Sequence, residues 1–141
     1  MKESYNNIGV SLILPTLNEA DNLKILIPEI IDNLPKNLSK FEIIVVDDNS
    51  TDDTEKVVNK LIDINKQIRL IKRESPKSLP LSILEGIKKS IYENVLWLDA
   101  DGSMPATVVA ELIKEGIASP SSVIIGSRFV DGGGYKGTQI E

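Results

Sequence analysis

The chain reads as an α/β protein with a mostly parallel central sheet, and three observations carry that reading. Short apolar runs alternate with amphipathic stretches of about 10 to 15 residues, the rhythm of strand–crossover–strand units. The apolar runs are brief and bounded by polar or Pro-containing segments, as buried strands are. Three polar clusters, Pro15 to Glu19, Asp47 to Ser50 and Asp99 to Ser103, each follow one of these runs. In open parallel sheets, ligands bind outside the carboxyl ends of the strands. The same edge of one sheet would therefore collect all three clusters.

The elements follow in order. Val10 to Leu14 is a first strand closed by Pro15. Asn18 to Asn22 is polar and can cap a helix whose apolar residues Leu23, Ile27, Ile30, Ile31 and Leu34 recur at helical spacing. Pro28 either kinks that helix or marks its start, because it removes one hydrogen bond from the ladder. Phe41 to Val46 is the second strand, and Asn49-Ser50-Thr51-Asp52-Asp53 is a run of cap-forming residues. The helix it opens has Val57, Val58, Leu61 and Ile62 as its apolar face, with Ile64 as a further candidate. Ile68 to Ile71 is a third strand. Pro80, a good first-turn residue, introduces a helix outlined by Leu81, Ile83, Leu84, Ile87 and Ile91. Val95 to Leu98 is a fourth strand with Trp97 as a core residue, Pro105 to Glu115 a fourth helix, and Val123 to Ile125 a fifth strand. The Gly-rich stretch from Asp131 to Glu141 reads as irregular.

Composition narrows the chemistry. A chain of 141 residues is one domain, residues 1–141, with room for a real core. A formal net charge of −5 with no dense Lys/Arg block argues against a nucleic-acid surface. Zero cysteines exclude disulfides and thiolate metal sites and fit a reducing compartment. Zero histidines remove the commonest general base and any imidazole metal ligand. Carboxylates, hydroxyls, backbone amides, Lys and Arg remain. No apolar run approaches the roughly 20 residues that cross a bilayer, and the polar stretch from Met1 to Gly9 is no signal peptide. The expected setting is cytoplasmic, with access to the cytoplasmic face of a membrane.

The acids carry the functional signal. Asp99 and Asp101 stand at i and i+2 just where a strand gives way to a loop, a spacing at which two carboxylates can share one hard divalent cation. Their bland alternative is a solvated strand end. Asp47-Asp48 ends the second strand, where it is either a second acidic contribution or a turn-and-cap sequence. Ser50 to Asp53 read mainly as caps. Lys72, Arg73 and Lys77 read as a solvated basic loop.

Pro15-Thr16-Leu17-Asn18-Glu19, Asp47-Asp48-Asn49-Ser50-Thr51-Asp52, Asp99-Ala100-Asp101 and Gly126-Ser127-Arg128-Phe129 together resemble the successive signatures of the family 2 glycosyltransferases of GT-A fold. The nearest branch in resemblance is the dolichyl- or polyprenyl-phosphate hexose synthases. That resemblance implies a Rossmann-like three-layer fold and the transfer, with inversion, of mannose or glucose from a nucleotide-sugar such as GDP-mannose or UDP-glucose to a polyprenyl phosphate. It implies that Pro15, Leu17 and Glu19 line the base and ribose, that Asp48 accepts hydrogen bonds from them, and that Asp99 and Asp101 hold Mg²⁺ or Mn²⁺ against the diphosphate. Ser103 would offer the cation a further oxygen. Arg128 would grip the anionic acceptor, where a guanidinium can bind two oxygens at once. Asp101 and Arg128 would be the residues closest to catalysis.

The sequence departs from the pattern in several places. Leu17 stands where the family usually has Tyr or Phe, Met104 where it often has His, and Ser78-Leu79-Pro80 where it has Gly-Leu-Gly. The family's chains also continue past the Gly-Ser-Arg segment. An end at Glu141 therefore leaves a truncated chain, a minimal member, or one part of an assembly with a partner subunit. Two other classes share fragments of the pattern. Leu98 to Ser103 fits the opening of haloacid dehalogenase-type phosphotransferases, and Val46-Asp47-Asp48 with Asp101 to Pro105 imitates a receiver-type phosphoacceptor domain.

Overall fold

The computed structural model describes Tyr5 and residues 7–134. The elements run β1 (Gly9–Thr16), α1 (Ala20–Asn33), β2 (Lys40–Asp47), α2 (Thr54–Ile64), β3 (Ile68–Lys72), α3 (Leu79–Lys89), β4 (Asn94–Trp97) and α4 (Ala106–Ala118). The four strands form one sheet in the order β3-β2-β1-β4, with every pairing parallel. The α/β class and the parallel sheet follow the sequence reading. Pro28 lies inside α1, on its exposed side, and the helix begins at Ala20.

Strand periodicity sorts the core into two unequal layers. Val10, Leu12 and Leu14 of β1, with Ile43 and Val45 of β2, face α1, α2 and α4 and build the main core. Ile13, Ile44 and Val46 face the other way, toward α3, in a smaller cluster. All eight residues of β1 are buried, as expected of a central parallel strand covered on both faces. Pro15 is tolerated there for a local reason. Ile13 turns its carbonyl to the β4 side, accepting from the Leu98 N–H. Pro15, two residues on, faces the same side beyond the last β4 rung, where no N–H is needed.

Helix α3 docks through small residues. Ser82 and Gly86 are its buried positions, and a Cβ at Gly86 would stand 2.5 Å from Ile13 Cγ2. Leu81, Leu84 and Ile87, expected as its core face, are exposed instead. Trp97 departs from its core assignment in the same way and is 46% exposed. Its register partner is Ile13, so it lies on the α3 side of an edge strand that α3 covers only in part. The expected strand at Val123 to Ile125 does not form. Val123 is 86% exposed, and the segment has no strand beside it among the described residues. β-Propensity needs a ladder to act on.

A buried acid ties the amino-terminal end of the sheet together. Glu42, on β2, accepts from Ser11 Oγ at 2.6 Å, the Ile91 N–H at 2.8 Å and Arg69 Nη1 at 2.5 Å. Arg69 also donates to the Lys89 carbonyl, and the Tyr92 N–H donates to Ser11 Oγ. The network therefore clamps the α3–β4 turn onto β1, β2 and β3. Burial pushes the Glu42 carboxyl up, but the bonds from Ser11, Ile91 and Arg69 outweigh it and hold it below its ordinary value. A depressed folded-state value means that this stabilisation is complete above the unfolded carboxyl's value of about 4.3 and is lost as pH falls through the folded one. Glu42→Ala strands Arg69 and the Ile91 N–H, at a cost of roughly 3 kcal/mol. Thermal unfolding should show a midpoint about 10 °C lower at pH 7, with the gap from the wild type narrowing in acid.

Candidate active site

The strand order places the site. From β1 the chain winds to β2 and β3 on one side, then returns through α3 to put β4 on the other side of β1. The β1 and β4 carboxyl ends thus flank the point where the winding reverses, the place where open α/β sheets form a ligand crevice. Pro15 to Glu19 leave β1 there, and Asp99 to Ser103 leave β4. Asp47 to Asp52 leave β2 alongside.

The loops after β1 and β2 are stapled to each other. Asn18 adopts φ 55°, a left-handed conformation that Asn tolerates better than most residues. Its Oδ1 accepts from the N–H groups of Thr51 at 2.8 Å and Asp52 at 3.3 Å, while its own N–H donates to Ser50 Oγ at 2.8 Å. Asp52 serves two helices at once. Oδ2 accepts from the Ala20 N–H at the start of α1, and Oδ1 accepts from the Thr54 N–H and Oγ1 at the start of α2. Thr54 Oγ1 in turn accepts from the Glu19 N–H. Asp47 closes the β2–α2 turn through the Ser50 N–H and hydroxyl. Of the run Ser50 to Asp53, read as caps, Asp52 makes the capping bonds, to α1 as well as to its own helix, while Asp53 at the N-cap position of α2 makes no side-chain cap bond.

Of the nucleotide-side candidates, Pro15 is buried at the end of β1, Leu17 is exposed beside it, and Glu19 is half-buried with Oε2 accepting from Asn22 Nδ2. Asp48 is nearly buried and receives two donors of its own chain: Arg73 Nη1 on Oδ1 at 2.5 Å and the Ser78 N–H on Oδ2 at 2.6 Å. Arg73 is accordingly no part of a solvated loop, for its side chain is only 12% exposed. Sequence reading missed it because its partner lies 25 residues away in the chain. Ser78-Leu79-Pro80 has a local use: Ser78 is the N-cap of α3, accepting from the Leu81 N–H, and Pro80 sits in the first turn.

Asp99 and Asp101 project from the loop after β4, both exposed, with buried Leu98 and Ala100 anchoring the backbone on either side of Asp99. Gly102, at φ 77°, turns the chain so that the Ser103 N–H reaches Asp101 Oδ1 at 2.8 Å. Bonds from the Ser103 backbone and hydroxyl hold the Asp101 carboxyl below its ordinary value, against a small upward push from burial. Asp101 is therefore anionic across the neutral range. Met104 packs against the core, and a Cβ at Gly126 would lie 3.6 Å from its methyl group. Gly126 thus lies against Met104 and Leu112 of α4, and Arg128 is exposed in the turn that follows.

A family model described as glycosyl transferase family 2 matches residues 11–139. The chain belongs to that family. Among its family 2 relatives, a dolichol-phosphate mannosyltransferase of Pyrococcus furiosus is 38% identical over 124 residues, spanning 88% of this chain and 34% of the relative. The structure of mannosyltransferase PcManGT from Pyrobaculum calidifontis, in complex with GDP-Man and Mn²⁺, superposes with a TM-score of 0.68 at 26% identity, covering 79% of this chain and 33% of that one. The structure of Staphylococcus aureus TarS 1-349 in complex with UDP gives 0.60, also at 26% identity, covering 77% and 32%. The chain thus spans about a third of the length of these family 2 proteins. The GT-A-type architecture expected from the motifs stands. The dehalogenase-type and receiver-type readings are not favoured: in this family 2 chain the Asp-Ala-Asp motif follows the fourth strand in sequence and sits at the sheet's edge.

Asn18 gives a local test of the staple. Asn18→Gly keeps the left-handed backbone and loses only the acceptor, at about 1 kcal/mol. Asn18→Ala loses both, and should lower the chemical-denaturation free energy by roughly 2 kcal/mol.

Proposed function

We propose that this chain forms the donor-binding domain of a metal-dependent hexosyltransferase that takes mannose or glucose from GDP-mannose or UDP-glucose. The observation that supports this most is that Asp99 and Asp101 follow β4 and Pro15 to Glu19 leave its neighbour β1, at the reversal point of the sheet. A nucleoside diphosphate suits such a crevice, with its base end toward β1 and β2 and its diphosphate toward β4.

The donor set suits Mg²⁺ or Mn²⁺. Asp99, Asp101 and the Ser103 hydroxyl are hard oxygen donors, and no cluster of three or more acidic, His or Cys residues that could hold a metal exists among the described residues. A cation held by two carboxylates leaves positions for diphosphate oxygens and water, the usual habit of Mg²⁺ beside phosphates. When bound, it offsets charge on the departing diphosphate. The chain's residues do the rest: Asp99 and Asp101 hold the cation's side of the site, and Ser103 keeps Asp101 ionised and oriented. Arg128 would receive the acceptor's anion, as the family resemblance implies.

A phosphate acceptor explains how a chain without histidine can work. A phosphate monoester, with a second pKa of about 6, is already largely ionised at neutral pH and needs no base to become a nucleophile. A polyprenyl phosphate at a membrane's cytoplasmic surface fits this chemistry and agrees with the acceptor named for the Pyrococcus relative. No helix among the described residues is long and apolar enough to cross a membrane. Inversion is what the family resemblance implies.

Calorimetry with GDP-mannose and UDP-glucose, with and without Mn²⁺, tests the donor site. Metal-dependent binding of at least one is expected, and its absence from a folded sample overturns the reading. Asp101→Ala should abolish the metal-linked part while leaving the fold intact. Because bonds from Ser103 hold the Asp101 carboxyl below its ordinary value, its part in that binding should be unchanged through the neutral range and be lost only when acid protonates it.

A further inference from the structure

Thr54 is fully buried at the first position of α2, and the donor site described above gives its hydroxyl no task. That hydroxyl stands in the middle of a relay: it accepts from the Glu19 N–H at 3.2 Å and donates to Asp52 Oδ1. A hydroxyl has one proton to give, so accepting on one side and donating on the other fixes its direction. Asp52 completes the circuit through Oδ2, which accepts from the Ala20 N–H at 3.2 Å. Two consecutive N–H groups at the start of α1 are thus held from residues 35 and 32 positions further along the chain. Such groups lack partners within their own helix, and the usual remedy is a cap from the helix's N-cap side chain. Here the N-cap residue is Glu19, whose side chain makes no cap bond; Oε2 accepts from Asn22 Nδ2 instead. Asp52 and Thr54 do the capping in its place. The Glu19 backbone is pinned while its carboxylate takes no part in the pinning.

We propose that Thr54 is a positioning residue: with Asp52 it fixes the Glu19 backbone beyond the end of β1, so that the Glu19 carboxylate and Asp48 meet the nucleoside of the donor together. The inference rests on the donor-site reading above, in which Glu19 and Asp48 lie on the nucleoside side. It accounts for a buried hydroxyl bonded on both sides to loop residues rather than to its own helix. The Thr54 N–H also donates to Asp52 Oδ1, at 3.0 Å, so the start of α2 and the Glu19 backbone share one anchor. The loop carrying Asp99 and Asp101 follows β4, beyond β1 in the sheet order, and has no bond in this relay. A fault in the relay therefore displaces the nucleoside side of the site and leaves the diphosphate side in place.

The test compares Thr54→Val, which keeps the shape and removes the hydroxyl, with Thr54→Ser, which keeps the hydroxyl. Amide hydrogen exchange at Glu19, without ligand, should quicken by about tenfold in Thr54→Val, the worth of one hydrogen bond, and stay near the wild-type rate in Thr54→Ser. Calorimetry with Mn²⁺ should show GDP and UDP bound about tenfold more weakly by Thr54→Val and within about twofold of the wild type by Thr54→Ser. Pyrophosphate binding with Mn²⁺ should stay unchanged in both, a split that general loss of structure does not produce. Unchanged nucleotide affinity or Glu19 exchange in Thr54→Val, equal weakening of pyrophosphate, or a Thr54→Ser as weak as Thr54→Val would each overturn the positioning role while the donor-site reading stands. If the wild type binds neither nucleotide, the donor-site reading fails and the positioning role falls with it. Asp52→Ala, at an exposed position, removes the far end of the relay and carries the same comparison should Thr54→Val fail to fold.

Discussion

The structure depends on β1 being shared. Among the described residues it is the only strand with neighbours on both sides in which every residue is buried, and it is also the strand at which the winding reverses. A parallel sheet must be covered on both faces, so the reversal sends α3 to one face while α1, α2 and α4 occupy the other. The crevice above the β1 and β4 ends is a by-product of that arrangement. No special residue has to create it; residues have only to furnish it.

The two ends of the sheet are furnished in opposite ways. At the amino-terminal end Glu42 is buried, fully bonded and paired with Arg69, which closes that end and fixes the turn into β4. At the carboxyl end the polar groups sort by depth. Asp47 and Asp48, both buried, are consumed in shaping loops, while Asp99 and Asp101 stand in solvent, with Ser103 bonded to Asp101. Buried acids with their bonds satisfied are structural parts. Exposed acids on a backbone pinned by Leu98 and Ala100 keep lone pairs available for a ligand. The contrast separates scaffold from site using the same residue type.

Much of this was legible in the sequence. Eight of the expected elements form near their expected bounds because each carries its own signal, an apolar run or a helical stripe. The grouping of three polar loops at one edge followed from chain rhythm alone. The misses share a cause. Trp97, Leu84 and Ile87 look like core residues, but burial depends on what covers them, and α3 seats itself through Ser82 and Gly86. Val123 to Ile125 has strand composition without a neighbouring strand. Arg73 looked like one of three basic loop residues until its partner was known. Each of these depends on contacts between distant segments, which local periodicity does not record.

The staple between the loops after β1 and β2 bears on how these loops can be re-engineered. Asn18 reads the backbone of Thr51 and Asp52, and Asp52 caps both helices that follow. Neither loop can therefore change length, or be exchanged for a homologue's, without unseating the start of the other's helix. The two segments form a single graftable cassette, running from Pro15 to Ala20 and from Asp47 to Thr54. The β4–α4 loop takes no part in that staple: its own Ser103 bond turns it, and Leu98, Ala100 and Met104 anchor it to the core.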